Sequence, residues 1–259
     1  MLLEIKNLSK RYAGTEYDVL ENINLAIEEG EFICVIGPSG CGKTSLLNLI
    51  AGLEQPSSGG VYIDGKPVTG PDADRTVMFQ EHALYPWLNV MDNVKFGMKL
   101  AGADKAEQDR VAEKYLKMVC LWDFRKNKIH ELSGGMKQRV SLARALAVGS
   151  KMLLMDEPFS SLDKQTINRL RRELEDIWEE TGKTIFYVTH SVEEAIYFAD
   201  RIIELSENPG KIKKIYEVDL PRPRRIDSEE FMAMRREILH SVIDEVNSIV
   251  EVEYDKKQI

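Results

Sequence analysis

Three short stretches hold residue types whose spacing could do chemistry. "GPSGCGKTS", residues 37–45, fits the pattern G-x-x-x-x-G-K-[ST] between an apolar run and a helical stretch, the setting in which that pattern cradles phosphate. Gly37, Pro38, Ser39, Gly40, Cys41, Gly42, Lys43, Thr44 and Ser45 are therefore the candidate nucleotide site. The glycines let backbone N–H groups converge on phosphate oxygens, Lys43 neutralises charge at the β- and γ-phosphates, and Thr44 can give its hydroxyl to Mg²⁺. "MLLMDEP", residues 152–158, ends an apolar run in two carboxylates. Asp156 is placed to hold Mg²⁺ through water, and Glu157 to accept a proton from an attacking water. A general base contributes about 10²- to 10⁴-fold in rate.

"LSGGMKQR", residues 132–139, is a second anion site: Ser133, Gly134 and Gly135 open a helical pattern with free N–H groups and the positive end of a helix dipole. One chain thus carries two phosphate cradles far apart in sequence. His190 closes the apolar run "TIFYVTH" at a strand end, where parallel sheets place their ligands. Ser191 and Glu194 fit an S-x-x-E capping box that would fix the turn carrying the imidazole.

These residues need a scaffold, and the surrounding pattern supplies one. "LLEIKNL" and "VLENINLAI" alternate as half-buried strands, and "EFICVIG" is a short continuous apolar run of the kind a buried parallel strand shows. "VYIDG", "RTVMFQ", "KMLLMD", "TIFYVTH" and "RIIEL" read as further strands. Helix is expected over "KTSLLNLIAGL", 164–180 and "SVEEAIYFA", and from Trp87 to about Gly149 the character is helical. "LPRPRR", 220–225, reads as an extended linker because proline forbids helix at and before itself. After it Phe231, Met234, Ile238, Val242 and Val246 recur at helical spacing. That amphipathic helix either docks on its own domain or offers a partner surface.

Composition narrows the function classes. The 259 residues carry 43 acidic against 35 basic side chains, a net charge of −8, which leans against a nucleic-acid partner. The three cysteines have no zinc-like spacing and fit a reducing compartment. The start "MLLEIKNLSKRY" breaks into charge too early for a signal peptide, and no apolar run approaches the ~20 residues a spanning helix needs. The expectation is a cytoplasmic protein that something else would anchor at a membrane.

Taken together, and above all through "LSGGMKQR", these motifs resemble the ATP-binding cassette family, specifically the ATPase subunits of bacterial ABC importers, over roughly residues 2–220. The resemblance implies an α/β P-loop NTPase core: a RecA-like sheet with an N-terminal antiparallel β-subdomain and an inserted α-helical subdomain at about 88–150. Residues 1–220 would form the ATPase domain and 221–259 a C-terminal linker and helix. It also answers why there are two cradles. In this family two cassettes meet head to tail, and the signature of one caps the γ-phosphate held by the P-loop of the other. Carried over, Tyr12 matches the aromatic that stacks on adenine and Gln80 the glutamine touching Mg²⁺ and the attacking water. Asp156 and Glu157 match the magnesium carboxylate and the base, Asp163 the acidic end of the interface loop "SSLD", and His190 the γ-phosphate histidine. Met136, Ser161 and Ser191 depart from the commonest residues at their positions.

The implied protein is an ATPase with ATP and Mg²⁺ as cofactors. It would pair with a second copy of itself on the cytoplasmic face of a membrane and drive transmembrane permease subunits served by a solute-binding protein. "FQEHALYPWLNVMDNVKFG" and "LPRPRR" most resemble the nitrate, sulfonate and taurine importer branch. The alternative is a soluble ABC ATPase serving an assembly scaffold, nucleic acid or the ribosome. Two further expectations concern single segments. Cys41, beside Lys43 at a helix N-terminus, should be the reactive thiol. "ALYPWLNV", 83–90, either lines a groove for a short helix of the membrane subunit or buries its two rings, Tyr85 and Trp87, in the helical insert.

Overall fold

The computed structural model describes residues 1–79, 83–160, 162–207 and 209–256, with side chains described through residue 243. In chain order the elements are β1 (Leu3–Lys10), β2 (Leu20–Ile27), β3 (Phe32–Ile36), α1 (Lys43–Ala51), β4 (Ser58–Ile63), β5 (Lys66–Pro67) and β6 (Arg75–Met78). There follow α2 (Val90–Leu100), α3 (Lys105–Met118), short 3₁₀ turns at Trp122–Phe124 and Ile129–Glu131, α4 (Gly134–Ala147), β7 (Met152–Asp156) and α5 (Lys164–Thr181). The chain closes with β8 (Thr184–Val188), α6 (Val192–Phe198), β9 (Arg201–Leu205), β10 (Ile212–Glu217) and α7 (Glu229–Lys256). They divide into two units, Met1–Pro71 with Phe186–Ile259, and Asp72–Ile185.

In the first unit an antiparallel sheet runs β2-β1-β4-β5, so the alternating segments "LEIKNL" and "LENINLAI" bury one face each. The run "FICVI" becomes β3, buried along its whole length, paired in parallel with β9 and flanked on its other side by β8. Phe32 stacks on Phe198 with ring centroids 5.1 Å apart, and Tyr187 tilts against the same Phe198 at 5.5 Å. This aromatic cluster ties β3, β8 and α6 into one core.

Beyond β9, "IKKIYE" forms the edge strand β10, antiparallel to it. The sequence pattern does not reveal this strand: two lysines interrupt the alternation, as edge strands favour to discourage further pairing. The prolines of "LPRPRR" do keep residues 220–225 out of helix and strand, but the segment is tied down. Buried Arg224 donates to the carbonyl oxygens of Ile196, Tyr197, Ala199, Val218 and Leu220. Arg222 donates to Asp200 and to the Phe198 carbonyl. Past it Phe231 and Ile238 of α7 are fully buried and Met234 and Val242 half-buried, while the Val246 side chain lies outside the described residues. The first turns of α7 therefore pack on their own unit. Ser241 adds a hydrogen bond from its hydroxyl to the buried Glu204, which also accepts from Tyr216.

In the second unit β6 pairs in parallel with β7, and helices α2, α3 and α4 pack on one another. Asn89 caps α2 by accepting from Asp92 N, and Asp104 caps α3 by accepting from Glu107 N. On α5, Leu170, Leu174 and Ile177 recur at helical spacing and are buried, with charged residues filling most of the exposed face. Among the described residues no helix is long and apolar enough to cross a membrane.

Candidate functional site

In the first unit the chain leaves β3 directly into the 37–45 loop. Two of its glycines have no substitute. A Cβ on Gly37 would lie 2.7 Å from the Leu205 carbonyl oxygen and 2.8 Å from Cys41 Sγ. Gly42 caps α1 at φ +95°, where a side chain is strained, and a Cβ there would meet Leu20 at 2.6 Å. The loop curls over the lysine that follows it: Lys43 Nζ donates to the carbonyl oxygens of Gly37 at 2.8 Å and Pro38 at 2.7 Å. Thr44 and Ser45 follow in the first turn of α1.

Cys41 does not behave as its neighbours in sequence suggest. Its side chain is 1% exposed, and burial pushes its thiol pKa up although Lys43 pulls the other way. The expected reactive thiol is thus a buried one. Proximity of the lysine is visible in sequence; the burial that outweighs it is not.

Tyr12, in the turn after β1, shares its hydroxyl with Ser45 Oγ at 2.9 Å and donates to Glu54 at 3.1 Å, while Lys10 lies over its ring at 4.9 Å. Burial pushes the Glu54 carboxyl up, but hydrogen bonds from Tyr12, Asn48 and Lys10 outweigh it and hold the group below the usual carboxylate range. Sequence reasoning missed Glu54, which sits in a loop with no local signal. Tyr12 also lines an open pocket of about 480 Å³ with Ser9, Arg11, Asp18 and Ser57.

Exposed His190 follows β8, and Thr189 N donates to Val35 O at 3.1 Å. The chain entering the 37–45 loop and the chain entering His190 therefore run side by side. The capping box expected at Ser191 and Glu194 is half formed. Ser191 Oγ accepts from Glu194 N at 3.3 Å, but the Glu194 carboxylate takes the hydroxyls of Tyr187 and Thr189, and Ser191 N donates to Thr189 Oγ1.

In the second unit Asp156 ends β7 and Glu157 follows it directly, both half-buried. Glu157 has φ +45°, a left-handed conformation that costs a non-glycine residue on the order of 1–3 kcal/mol and concentrates at functional positions. Ser160 holds this turn, its N–H and its hydroxyl both donating to the Glu157 carbonyl.

Ser133 is the N-cap of α4, accepting from Met136 N at 3.3 Å, and its hydroxyl proton is still available to a second acceptor. Gly134 and Gly135 occupy the first helical positions, whose N–H groups have no intrahelical partner. A Cβ on Gly135 would lie 2.8 Å from Thr166, so glycine also permits the close approach of α5. Asp163 caps α5, accepting from Gln165 N, Thr166 N and Thr166 Oγ1. Hydrogen bonds from Thr166, and then Gln165, hold its carboxyl below the usual range. The two helix starts share an open pocket of about 370 Å³ lined by Ser133, Gly135, Met136, Arg139, Thr166 and Arg169, among others. Glu173 pairs with both arginines, at 2.9 Å to Arg139 and 3.0 Å to Arg169. Arg139 ends the signature motif, whereas Arg169 and Glu173, on α5, are not evident from it.

Residues 20–160 match the family model described as ABC transporter. The chain belongs to that family. It is 50% identical over 246 residues to an ABC transporter ATP-binding protein of Methanocaldococcus jannaschii, covering 94% of this chain and 92% of the relative. It is 45% identical to the nitrate import ATP-binding protein NrtD of Synechocystis sp., over 96% and 95% of the two chains. It is 43% identical to the taurine import ATP-binding protein TauB of Pseudomonas putida, over 96% and 98%. Among solved structures it resembles a dimeric ATP-binding cassette in a post-hydrolysis state bound to ADP and Pi, with TM-score 0.73 and 34% identity over 84% and 99% of the chains.

The chain is accordingly an ATP-binding, ATP-hydrolysing cassette with the P-loop NTPase fold. The ABC cassette's loop 37–45 fits a triphosphate on its own geometry: positions that exclude a Cβ, N–H groups at the start of α1, and one ammonium. Thr44, in the first turn of α1, carries a hydroxyl and Asp156, at the end of β7, a carboxylate, each a hard oxygen donor of the kind Mg²⁺ takes. Gln80, expected at the metal and the attacking water, lies outside the described residues, as does Ser161 of the interface loop.

Proposed function

We propose that this cassette works as a head-to-tail pair that energises import of a small solute of the nitrate, sulfonate or taurine kind. The observation carrying the solute class is the pair of import subunits for nitrate and taurine that resemble this chain along almost their full length. Those relatives speak for an importer and not for the scaffold or ribosome-associated alternative. In this reading residues 1–220 are the ATPase domain, with about 88–150 its helical insert, and the pair sits on the cytoplasmic face of the membrane beneath permease subunits that a solute-binding protein feeds.

The residue roles follow from the chemistry of each group. Tyr12 receives adenine against its ring. The N–H groups of 37–45 and the Lys43 ammonium hold the triphosphate. Thr44, Asp156 and Gln80 hold Mg²⁺, which supplies charge neutralisation at the phosphates. Glu157 accepts the proton of the attacking water, and His190 steadies the γ-phosphate. Ser133 and the N–H groups of Gly134 and Gly135 donate to the partner copy's γ-phosphate, with Asp163 at the interface.

The reading is tested by tagging the chain in its native cell, capturing it from gently solubilised membranes, and measuring uptake of labelled nitrate and taurine in cells lacking it. Co-capture of a hydrophobic subunit and loss of uptake, restored by the wild-type gene but not by Glu157→Gln, are expected. Recovery only with soluble assembly or ribosomal partners would contradict it.

A further inference from the structure

The half-formed cap after β8 carries a consequence for catalysis. The Glu194 carboxylate, on a side chain 7% exposed, accepts from Thr189 Oγ1 at 2.9 Å and from Tyr187 Oη at 3.0 Å. Both donors are themselves buried, Thr189 at 2% and Tyr187 at 0% exposure. Thr189 Oγ1 in turn accepts from Ser191 N at 3.0 Å, and Ser191 Oγ accepts from Glu194 N at 3.3 Å. The result is a closed circuit, Glu194 to Thr189 to Ser191 and back to Glu194, drawn tight around the residue it omits.

That residue is His190, the exposed one between buried Thr189 and half-buried Ser191. Its backbone N and C ends are both fixed, one by the ladder bond of Thr189 to Val35 and the carboxylate, the other by the hydroxyl relay and the first turn of α6. A carboxylate that could have capped its own helix start directly instead works one residue pair further back. This choice fixes the turn from below, where solvent does not compete with the hydrogen bonds.

We propose that Glu194 is a positioning residue for ATP hydrolysis, holding the Thr189–Ser191 turn so that the His190 imidazole meets the γ-phosphate at a fixed place. The inference rests on the reading that His190 steadies that phosphate. Glu194 acts through Thr189 and Ser191, the two residues its carboxylate and backbone N–H hold. Misplacement of a positioned group by about 1 Å can cost about 100-fold in rate while leaving binding largely intact.

The test is steady-state ATP hydrolysis by the full-length chain, with direct nucleotide titration beside it. Glu194→Ala should lower kcat about 10- to 100-fold, with KM and ATP affinity within about 3-fold of wild type. Glu194→Gln, which keeps an acceptor oxygen, should recover part of the loss. Thr189→Val removes the relay hydroxyl at constant shape and should lower kcat likewise, whereas Thr189→Ser should stay near wild type. The Thr189 pair decides the matter should Glu194→Ala fail to fold. In a His190→Ala background, adding Glu194→Ala or Thr189→Val should change kcat by less than about 2-fold, because the turn then has nothing to position. Wild-type kcat in both Glu194→Ala and Thr189→Val, or their full effect persisting without the imidazole, would overturn the inference alone. Full activity of the single His190→Ala variant would overturn the reading of His190 and the inference with it.

Discussion

Lys43 and Gly37 hold one another across the loop they both belong to, the lysine ammonium donating to the glycine carbonyl oxygen at 2.8 Å. With the second bond to Pro38, the ammonium is kept inside the loop's curl. Lys43→Met should weaken ATP binding about 10- to 100-fold, the size of one charge-assisted hydrogen bond at about 1.5–3 kcal/mol. Titration with a fluorescent ATP analogue measures this, and unchanged affinity would remove Lys43 from the site.

Thiol chemistry separates the three cysteines. Cys120 is exposed, Cys34 and Cys41 are buried, and burial raises the thiol pKa of both buried residues. A raised pKa leaves less thiolate at neutral pH than a free cysteine has, and the thiolate is the reacting species. Maleimide should therefore modify Cys120 first. Cys120→Ser should abolish the fast phase of labelling, Cys41→Ala should leave it intact, and mass spectrometry of the modified peptide reads the outcome.

Arg224 anchors the C-terminal segment by satisfying carbonyl oxygens at the end of α6 and after β10. Arg224→Met would leave several buried acceptors unpaired, at about 1–3 kcal/mol for each that cannot be rehydrated. A net loss of about 3 kcal/mol lowers Tm by about 6–12 °C in a chain of this size. Arg225→Met is the control: Arg225 is exposed and pairs only with exposed Asp227 among the contacts described, so its loss should be near neutral.

The segment 83–90 divides its two rings. Tyr85 packs against Phe96 with ring centroids 4.2 Å apart and lies under Arg144, whereas Trp87 is 68% exposed. Large exposed aromatics of this kind anchor interfaces. Trp87→Ala should leave ATP affinity and Tm of the isolated subunit unchanged and reduce recovery of the assembled complex by about 10-fold or more, the effect of losing an anchor worth about 2 kcal/mol. Loss of fold in this variant would place the ring in the core instead.

How much of this was legible in the sequence depends on how local each signal is. The 37–45 loop, the carboxylates at the end of β7 and the Ser133 cap are each contiguous, and in each the motif sits on the expected strand or helix end. What was illegible depends on distant chain segments. Arg224 reaches back 28 residues to Ile196, and nothing around it advertises buried carbonyls. Glu194 was readable as a cap but not as the acceptor of Thr189, because that choice is made by the packing of Tyr187 under α6. The inertness of Cys41 is hidden for the same reason: the charge of Lys43 shows in sequence and burial does not. β10 hid because lysines on an edge strand mask its alternation.

The central claim is that each γ-phosphate lies between Lys43 of one chain and the Ser133 hydroxyl and Gly135 N–H of the other. Glu157→Gln keeps the cradle and removes the proton acceptor, so hydrolysis should fall by about 10²-fold or more. The uncleaved ATP should then hold two subunits together. Light scattering of Glu157→Gln with ATP, ADP and no nucleotide, alone and with its membrane partner, measures this directly. A dimer with ATP alone is predicted, and adding Ser133→Arg should abolish it while each monomer still binds ATP, since in the proposed arrangement Ser133 serves the opposite site. A Glu157→Gln protein that stays monomeric with ATP even in the assembled complex, or a Ser133→Arg variant that cannot bind ATP as a monomer, would contradict the head-to-tail arrangement.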